Sequence, residues 1–275
     1  VRILVTNDDG IDSIGLHVLA RAMTRHGHVV VAAPDREYSG AGAALGALHL
    51  LQPEVHRVAL DGVPEAWSVT GPPGLCVMFS RLGAFGEPFD LIVSGINPGA
   101  NVGRSIYHSG TVGACLTGRN GGISGLAVSQ AVDGFGVEGQ GWDEMLVGQC
   151  WDTAAAVADA FVEGFLTAPP PRPVVANVNV PNLPLEQVRG WRFTEVGTAP
   201  PRAMASAGLE PIEGHEQAYR VTMSWGDALA LPEGTDGGTV ERDEVSVTYL
   251  SRLVAEPTEL PAVERSLDGL VGRGR

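Results

Sequence analysis

The sequence predicts an α/β fold, a three-layer, Rossmann-like, doubly wound and mostly parallel sheet followed by a C-terminal extension rich in β-hairpins. Three observations predict it. The first half alternates short, continuously apolar runs with segments of helical period, the pattern of strands buried on both faces and joined by crossover helices. Those runs end in polar clusters containing Gly, Asn, Ser or Pro. From about Trp191 the runs instead alternate apolar with polar residues, as antiparallel strands with one covered face do.

Taken in order, Ile3-Leu4-Val5-Thr6 is a strand that stops at Asn7-Asp8-Asp9-Gly10. Asp12 or Ser13 can then cap a helix carrying Leu16, Leu19, Ala22 and Met23, with Gly27 as its stop. His28 to Ala33 is a second strand closed by Pro34, and Phe89 to Ser94 a third that runs into a Gly-rich loop. Thr111 to Arg119 reads as a helix, Leu126 to Ser129 as a strand, Asp143 to Phe165 as a long Ala-rich helix and Val174 to Val180 as a strand. Tyr219 to Trp225 and Glu244 to Tyr249 read as hairpin strands, and Thr258 to Val271 as a terminal helix. The expected division is an α/β core over 1–185 and a β-rich extension over 186–275, the whole being countable as one domain of 1–275.

Composition narrows the functions. A formal net charge of −14 and a pI near 4.8 exclude a general binder of nucleic-acid polymers or anionic membranes, which gain affinity from clustered Lys and Arg. An anionic substrate would therefore have to be attracted locally, by a cation, a helix N-terminus or a few placed arginines. Cys76, Cys115 and Cys150 are odd in number and lack metal spacing, which fits a reducing cytoplasm. The opening residues read as a strand rather than a signal segment, and no run of about 18 apolar residues occurs, so a cytoplasmic protein without a membrane partner is expected.

In an open parallel sheet, ligands bind beyond the carboxyl ends of the strands, and three polar strand ends stand out. At the first, Asp8 and Asp9 repel each other unless a cation or donors offset them, and hard divalent ions such as Mg2+ or Mn2+ favour such oxygens. Asn-Asp-Asp-Gly is equally good turn chemistry. Ser39 and Asn97, at the other two ends, are neutral oxygen donors able to complete the same coordination, though by spacing alone both are also ordinary loop residues. Ser109-Gly110-Thr111 precedes a helix whose free N–H groups can bind an anion, or can simply be capped by Ser109 or Thr111. Other signatures fail: Gly99 to Ser105 lacks P-loop spacing and its lysine, Gly40-Ala41-Gly42 lacks a third glycine, and neither a Gly-x-Ser-x-Gly elbow nor an HExxH pair is present. His108 can be read as an acid for a leaving group or as a structural residue.

These residues together resemble the SurE-type survival-protein nucleotidases, metal-dependent 5'/3'-nucleotidases. The matching segments are Ile3 to Gly10, Ala33-Pro34 through Ser39-Gly40, Val93 to Asn97 with Gly99, Asn101 and Gly103, Ser109 to Val112, and Asn177 to Pro181. A fainter echo follows in Gly234-Thr235-Asp236 and Val245 to Thr248. The resemblance implies that Asp8, Asp9, Ser39 and Asn97 hold one divalent cation per subunit, Mg2+ or Mn2+, with Asp8, Asp9 and Asn97 as the catalytic set. It also implies that Asn101, Ser109, Gly110 and Thr111 contact the phosphate, that the substrate is a small phosphate ester of the nucleoside monophosphate class, and that the extension builds a homodimer or homotetramer. Ser105, His108, Thr117 and Leu75 depart from the family pattern, and a basic Arg-Gly-Arg stretch is missing near Glu210 to Tyr219. None is a metal position, but the departures leave a non-nucleotide or biosynthetic ester as an alternative substrate, and a non-catalytic nucleotide-binding module as an alternative of another class. A haloacid-dehalogenase-type phosphatase is disfavoured because Asp8-Asp9 are adjacent rather than an Asp-x-Asp pair.

Overall fold

The computed structural model describes residues 1–46, 48, 50, 52–133, 146–199, 204–251, 253 and 257–271. The strands are β1 (Arg2–Thr6), β2 (His28–Pro34), β3 (Val55–Val58), β4 (Glu65–Val69), β5 (Leu91–Pro98), β6 (Ser124–Gln130), β7 (Val175–Val180), β8 (Gly190–Phe193), β9 (Met204–Pro211), β10 (Tyr219–Trp225) and β11 (Glu244–Leu250). The helices are α1 (Ile14–Met23), α2 (Pro73–Arg81), α3 (Gly110–Asn120), α4 (Trp151–Thr167), α5 (Asp236–Val240) and α6 (Pro261–Val271). Among the described residues, nine strands form one sheet in the order β3-β4-β2-β1-β5-β6-β7-β11-β8, while β9 and β10 form a separate hairpin. Pairing runs parallel from β4 through β7; β3 and β11 enter antiparallel to β4 and β7.

The apolar strand runs are buried on both faces, as a sheet sandwiched between helices requires. Ile3 and Val5 point into one cluster with Leu16, Leu19 and Met23 of α1 and Ala154, Ala158 and Val162 of α4. Leu4, one residue out of phase, joins Cys76 and Val77 of α2 and Val112, Ala114 and Cys115 of α3 on the opposite face. With β1 central, the chain winds first toward β2 and β4, then crosses back to β5 and β6 on the other side. The crevice at this reversal is where a doubly wound sheet places its ligand. The loops after β1, β2 and β5 all open onto it.

Ser13 caps α1, its hydroxyl accepting the Leu16 N–H, and a 3-10 turn over Thr24–His26 precedes the stop at Gly27. The third strand begins at Leu91 rather than Phe89 and extends to Pro98, because pairing with β6 resumes at Asn97 after a register shift past Ser94. The long helix runs Trp151–Thr167; its expected start, at residues 143–145, lies outside the described residues. Tyr219–Trp225 is a hairpin strand as its alternation predicts, paired with Met204–Pro211. Glu244–Leu250 is not: it is inserted into the main sheet, antiparallel to β7 and parallel to β8, so Val245 and Val247 reach the core. No helix among the described residues is long and apolar enough to cross a membrane.

Candidate active site

Strand β1 is buried up to its last residue, so the chain delivers Asn7 and Asp8 into the crevice almost wholly shielded from water, Asp8 being 3% exposed. Asn7 closes the turn by donating from Nδ2 to the Gly10 carbonyl at 2.9 Å. Asp8 is met by the start of α3: Oδ2 accepts the Gly110 N–H at 3.0 Å, and Oδ1 accepts the Thr111 hydroxyl. Only glycine fits at 110, because a Cβ there would lie 2.7 Å from the Asp8 Cβ and 2.8 Å from its Oδ2. Burial raises the Asp8 pKa above the ordinary carboxylate value, and the Thr111 hydroxyl and the α3 amides oppose that rise. Hydrogen bonds to a charged group contribute about 1.5–3 kcal/mol each, so this joint between β1 and α3 is among the stronger ones in the crevice.

Asp9 has no such reception. One of its oxygens, Oδ2, is buried without a hydrogen-bond partner, as is Asn7 Oδ1. Burial first, then the charge of Asp8, then that of Glu37, hold its carboxyl well above the usual range. A buried acceptor with nothing to accept from is costly, and a second carboxylate beside it worsens the balance. A hard cation is the group that corrects both defects at once. Among the described residues no three His, Cys, Asp or Glu side chains gather as a cation cage, so an ion here would rest on two carboxylates and neutral oxygens.

The loop that carries Ser39 is tied to the acidic pair through the backbone. The Tyr38 N–H donates to the Asp8 carbonyl at 2.7 Å, and the Gly42 N–H to the His108 carbonyl at 3.0 Å. The exposed Ser39 thus sits on a loop anchored at one end to the acidic pair and at the other to the residue before Ser109. Asn97 donates from Nδ2 to the carbonyls of Pro98 and Gly99, at 3.3 and 2.7 Å, which orients the amide.

Asn101 is placed differently. Its N–H donates to Asn179 Oδ1 at 2.7 Å, its carbonyl accepts from the side chains of Asn177 and Asn179, and its own Nδ2 reaches Ser129 Oγ at 2.8 Å. Three polar residues on β6 and β7 therefore pin the loop after β5 across the top of the sheet. Ser109 caps α3, its hydroxyl oxygen accepting the Val112 N–H at 3.1 Å. The Gly110 N–H and the Thr111 hydroxyl both donate to Asp8, so the helix N-terminus meets the carboxylate directly. Of the family departures, Leu75 is buried within α2, and Thr117, within α3, bonds back to the Gly113 carbonyl at 2.8 Å. Ser105 closes the turn after Val102, and of the four departures only His108 is exposed.

This arrangement places the molecule in the class of open-sheet α/β proteins, with paired carboxylates and a helix N-terminus meeting at the strand ends of the switch point. Within that class the chain belongs to the SurE family: a family model described as survival protein SurE matches residues 3–202. It is 39% identical over 254 residues to the 5'-nucleotidase SurE of Legionella pneumophila, covering 91% of this chain and 90% of the relative. It is 35% identical over 255 residues to the 5'/3'-nucleotidase SurE of Erwinia tasmaniensis, with 91% and 90% covered. The crystal structure of the SurE protein from Aquifex aeolicus superposes with a TM-score of 0.72 at 30% identity, covering 98% of this chain and 99% of that one.

The strained state of Asp9 makes a stability prediction. A carboxyl whose folded-state pKa is raised destabilises the fold once ionised, so the penalty is absent below the unfolded value near 3.9 and grows as pH rises through the folded one. At neutral pH it is present. Asp9→Asn should therefore raise the melting temperature of chelator-treated protein by about 2–4 °C, a usual consequence of relieving one repulsive contact in a domain of this size. Added Mn2+ should then stabilise the wild type but not the variant, since only a folded state that binds the ion gains from it. Differential scanning calorimetry with and without Mn2+ checks both; equal metal-induced shifts would remove Asp9 from the ligand set.

Proposed function

We infer that this chain is a metal-dependent phosphomonoesterase that hydrolyses nucleoside monophosphates to nucleoside and phosphate. The observation that carries the reading is the pair Asp8-Asp9, one received by a helix N-terminus and the other left with a buried, unpartnered oxygen, at the switch point of a sheet shared with the SurE protein of Aquifex aeolicus. Support comes from relatives named 5'-nucleotidase and 5'/3'-nucleotidase over nine-tenths of the chain.

Asp8, Asp9, Ser39 and Asn97 would hold one Mg2+ or Mn2+ ion, hard oxygen donors being the set such ions select. When bound, that ion supplies Lewis-acid polarisation of a phosphoryl oxygen and eases deprotonation of a water. The remaining work is positioning and charge stabilisation by the chain itself. Asn101, held from three sides, offers an amide to the phosphate, and the Ser109 hydroxyl, whose oxygen already accepts from Val112, keeps its proton to donate. Gly110 and Thr111, by holding Asp8, fix the N-terminus of α3 against which the equatorial oxygens of the phosphate would lie. Because the protein carries −14, these local groups, not its overall field, must attract the ester. The exposed His108 at the mouth favours a second reading of the same chemistry, in which the ester is not a nucleotide.

The oligomer belongs to the same proposal. A cavity of about 800 Å3 lies between α4 and the outer strands, lined by Phe161, Phe165, Val188, Trp191, Phe193 and Tyr249. The same molecule exposes a helix, α6, with Val263, Leu267, Leu270 and Val271 on one stripe, and a hairpin with Leu209, Val221, Met223 and Trp225 uncovered. Apolar surface on this scale is normally an interface. In our reading 1–185 carries the catalysis and 186–275 the assembly, within one domain of 1–275, and a second copy covers the groove in a homodimer or homotetramer.

Purified protein with Mn2+ or Mg2+ should release phosphate from a nucleoside monophosphate panel and from p-nitrophenyl phosphate, and EDTA should abolish release. Asp8→Asn and Asp9→Asn should each lower kcat/KM by on the order of a thousandfold, the scale of losing one preorganised charge-stabilising group. Hydrolysis of no phosphomonoester would leave a binding module, and preference for a non-nucleotide ester would select the second reading. For the assembly, light scattering should show a dimer or tetramer that Leu267→Asp dissociates; a monomeric wild type would end that part.

A further inference from the structure

Asp236 opens α5, far from the acidic pair in sequence, and it is completely buried. Its carboxylate accepts three backbone N–H groups: Oδ2 that of Gly103, and Oδ1 those of Gly197 and Gly237, each at 2.9 Å. Gly103 lies 133 residues away and is two residues past Asn101. The contact is tight because Gly103 has φ +55 and a Cβ on it would stand 2.5 Å from the Ala199 carbonyl oxygen. Asp236 is itself fixed, donating its N–H to the Glu195 carbonyl at 2.8 Å while the Glu195 N–H donates to that of Gly234 at 3.1 Å.

From Gly103 the anchoring passes along the chain to α3. Gly103–Tyr107 is a 3-10 turn, in which Ser105 N–H donates to the Val102 carbonyl, His108 N–H to that of Ser105 and Ser109 N–H to that of Ile106. One carboxylate thus fixes the first residue of a turn that begins beside Asn101 and ends at the Ser109 cap. The pins from Ser129, Asn177 and Asn179 hold this loop from the sheet side; Asp236 holds it from the side of the C-terminal segment.

We propose that Asp236 is a positioning residue for phosphate binding: it sets the Gly103 N–H and with it the placement of Asn101 and of the Ser109 to Thr111 turn, without touching the substrate. The same bonds join the segments flanking the hairpin, Gly197 before it and α5 after it, to the phosphate loop, so that the extension acts on the site through this carboxylate. The proposal rests on the phosphatase reading for the identity of the ligand.

Wild type, Asp236→Asn and Asp236→Glu are compared in Mn2+ for hydrolysis of a nucleoside monophosphate, inhibition by inorganic phosphate, Mn2+ affinity and melting temperature. Asn turns an N–H donor toward one of the amides; Glu keeps the charge but displaces it by a methylene. Both should lose about tenfold to a hundredfold in kcat, the cost of small misplacements in a reacting geometry. Inhibition by phosphate should weaken by a similar factor while Mn2+ affinity is unchanged, a split that a general loss of structure would not produce. Folded variants with wild-type kcat and wild-type phosphate inhibition overturn the proposal. If the wild type hydrolyses no ester, the phosphatase reading fails instead, and direct titration of inorganic phosphate decides: weaker in the variants supports Asp236, equal rejects it. Should neither variant fold, amide hydrogen exchange in the wild type gives the answer. The Gly103 N–H is then expected to be protected, and further protected by phosphate; exchange at the rate of an open loop rejects the proposal.

Discussion

The structure depends on the meeting of the Asp8 carboxylate with the N-terminus of α3. Strand β1 runs into a buried acid, and a buried acid needs donors. Gly110 and Thr111 supply them, 102 and 103 residues further along the chain. That contact ties the first strand to the third helix and keeps Gly at 110 because no larger residue clears Asp8, while the Asp8 carbonyl, accepting the Tyr38 N–H, anchors the Ser39 loop beside it. Asp9, denied an equivalent partner, keeps a buried oxygen without a hydrogen bond.

Much of this was legible in the sequence, and the reasons are physical. Continuous apolar runs such as Val29 to Ala33 have one use in an open parallel sheet, burial on both faces, and the polar clusters that end them mark the strand ends where such sheets bind ligands. The stretch Val55 to Arg81 was not legible. Val55-His56-Arg57-Val58 is an exposed edge strand without a buried pattern, and Pro72-Pro73, which reads as a break, lies at the start of α2, where proline is accepted. Glu244–Leu250 was misplaced because alternation reports one apolar face and not which neighbour a strand pairs with.

Within the site, the acidic pair and the Ser109 turn could be named from local pattern, but their mutual use could not. Gly110 and Thr111 look like free donors until the fold presents Asp8 to them. The pins on Asn101 were hidden for the same reason, although the alternating Asn177 and Asn179 in a buried strand did signal polar atoms needing distant partners. Asp236 carried even less signal, since a buried aspartate at the start of a short helix reads as local chemistry. An acidic protein that must attract an anion concentrates its attraction in such places, where few groups act at short range and the surface field is excluded.

The central claim is that Asp9, left unpartnered beside an Asp8 already met by Gly110 and Thr111, is completed by a divalent cation shared with Asp8 rather than by donors of the protein. Anomalous diffraction at the manganese edge from crystals grown with Mn2+ tests it most directly. A single peak within bonding distance of both carboxylates, with Ser39 and Asn97 oxygens alongside, is the result expected. No peak in the crevice at saturating Mn2+, with Asp9 hydrogen-bonded to protein groups instead, would contradict it.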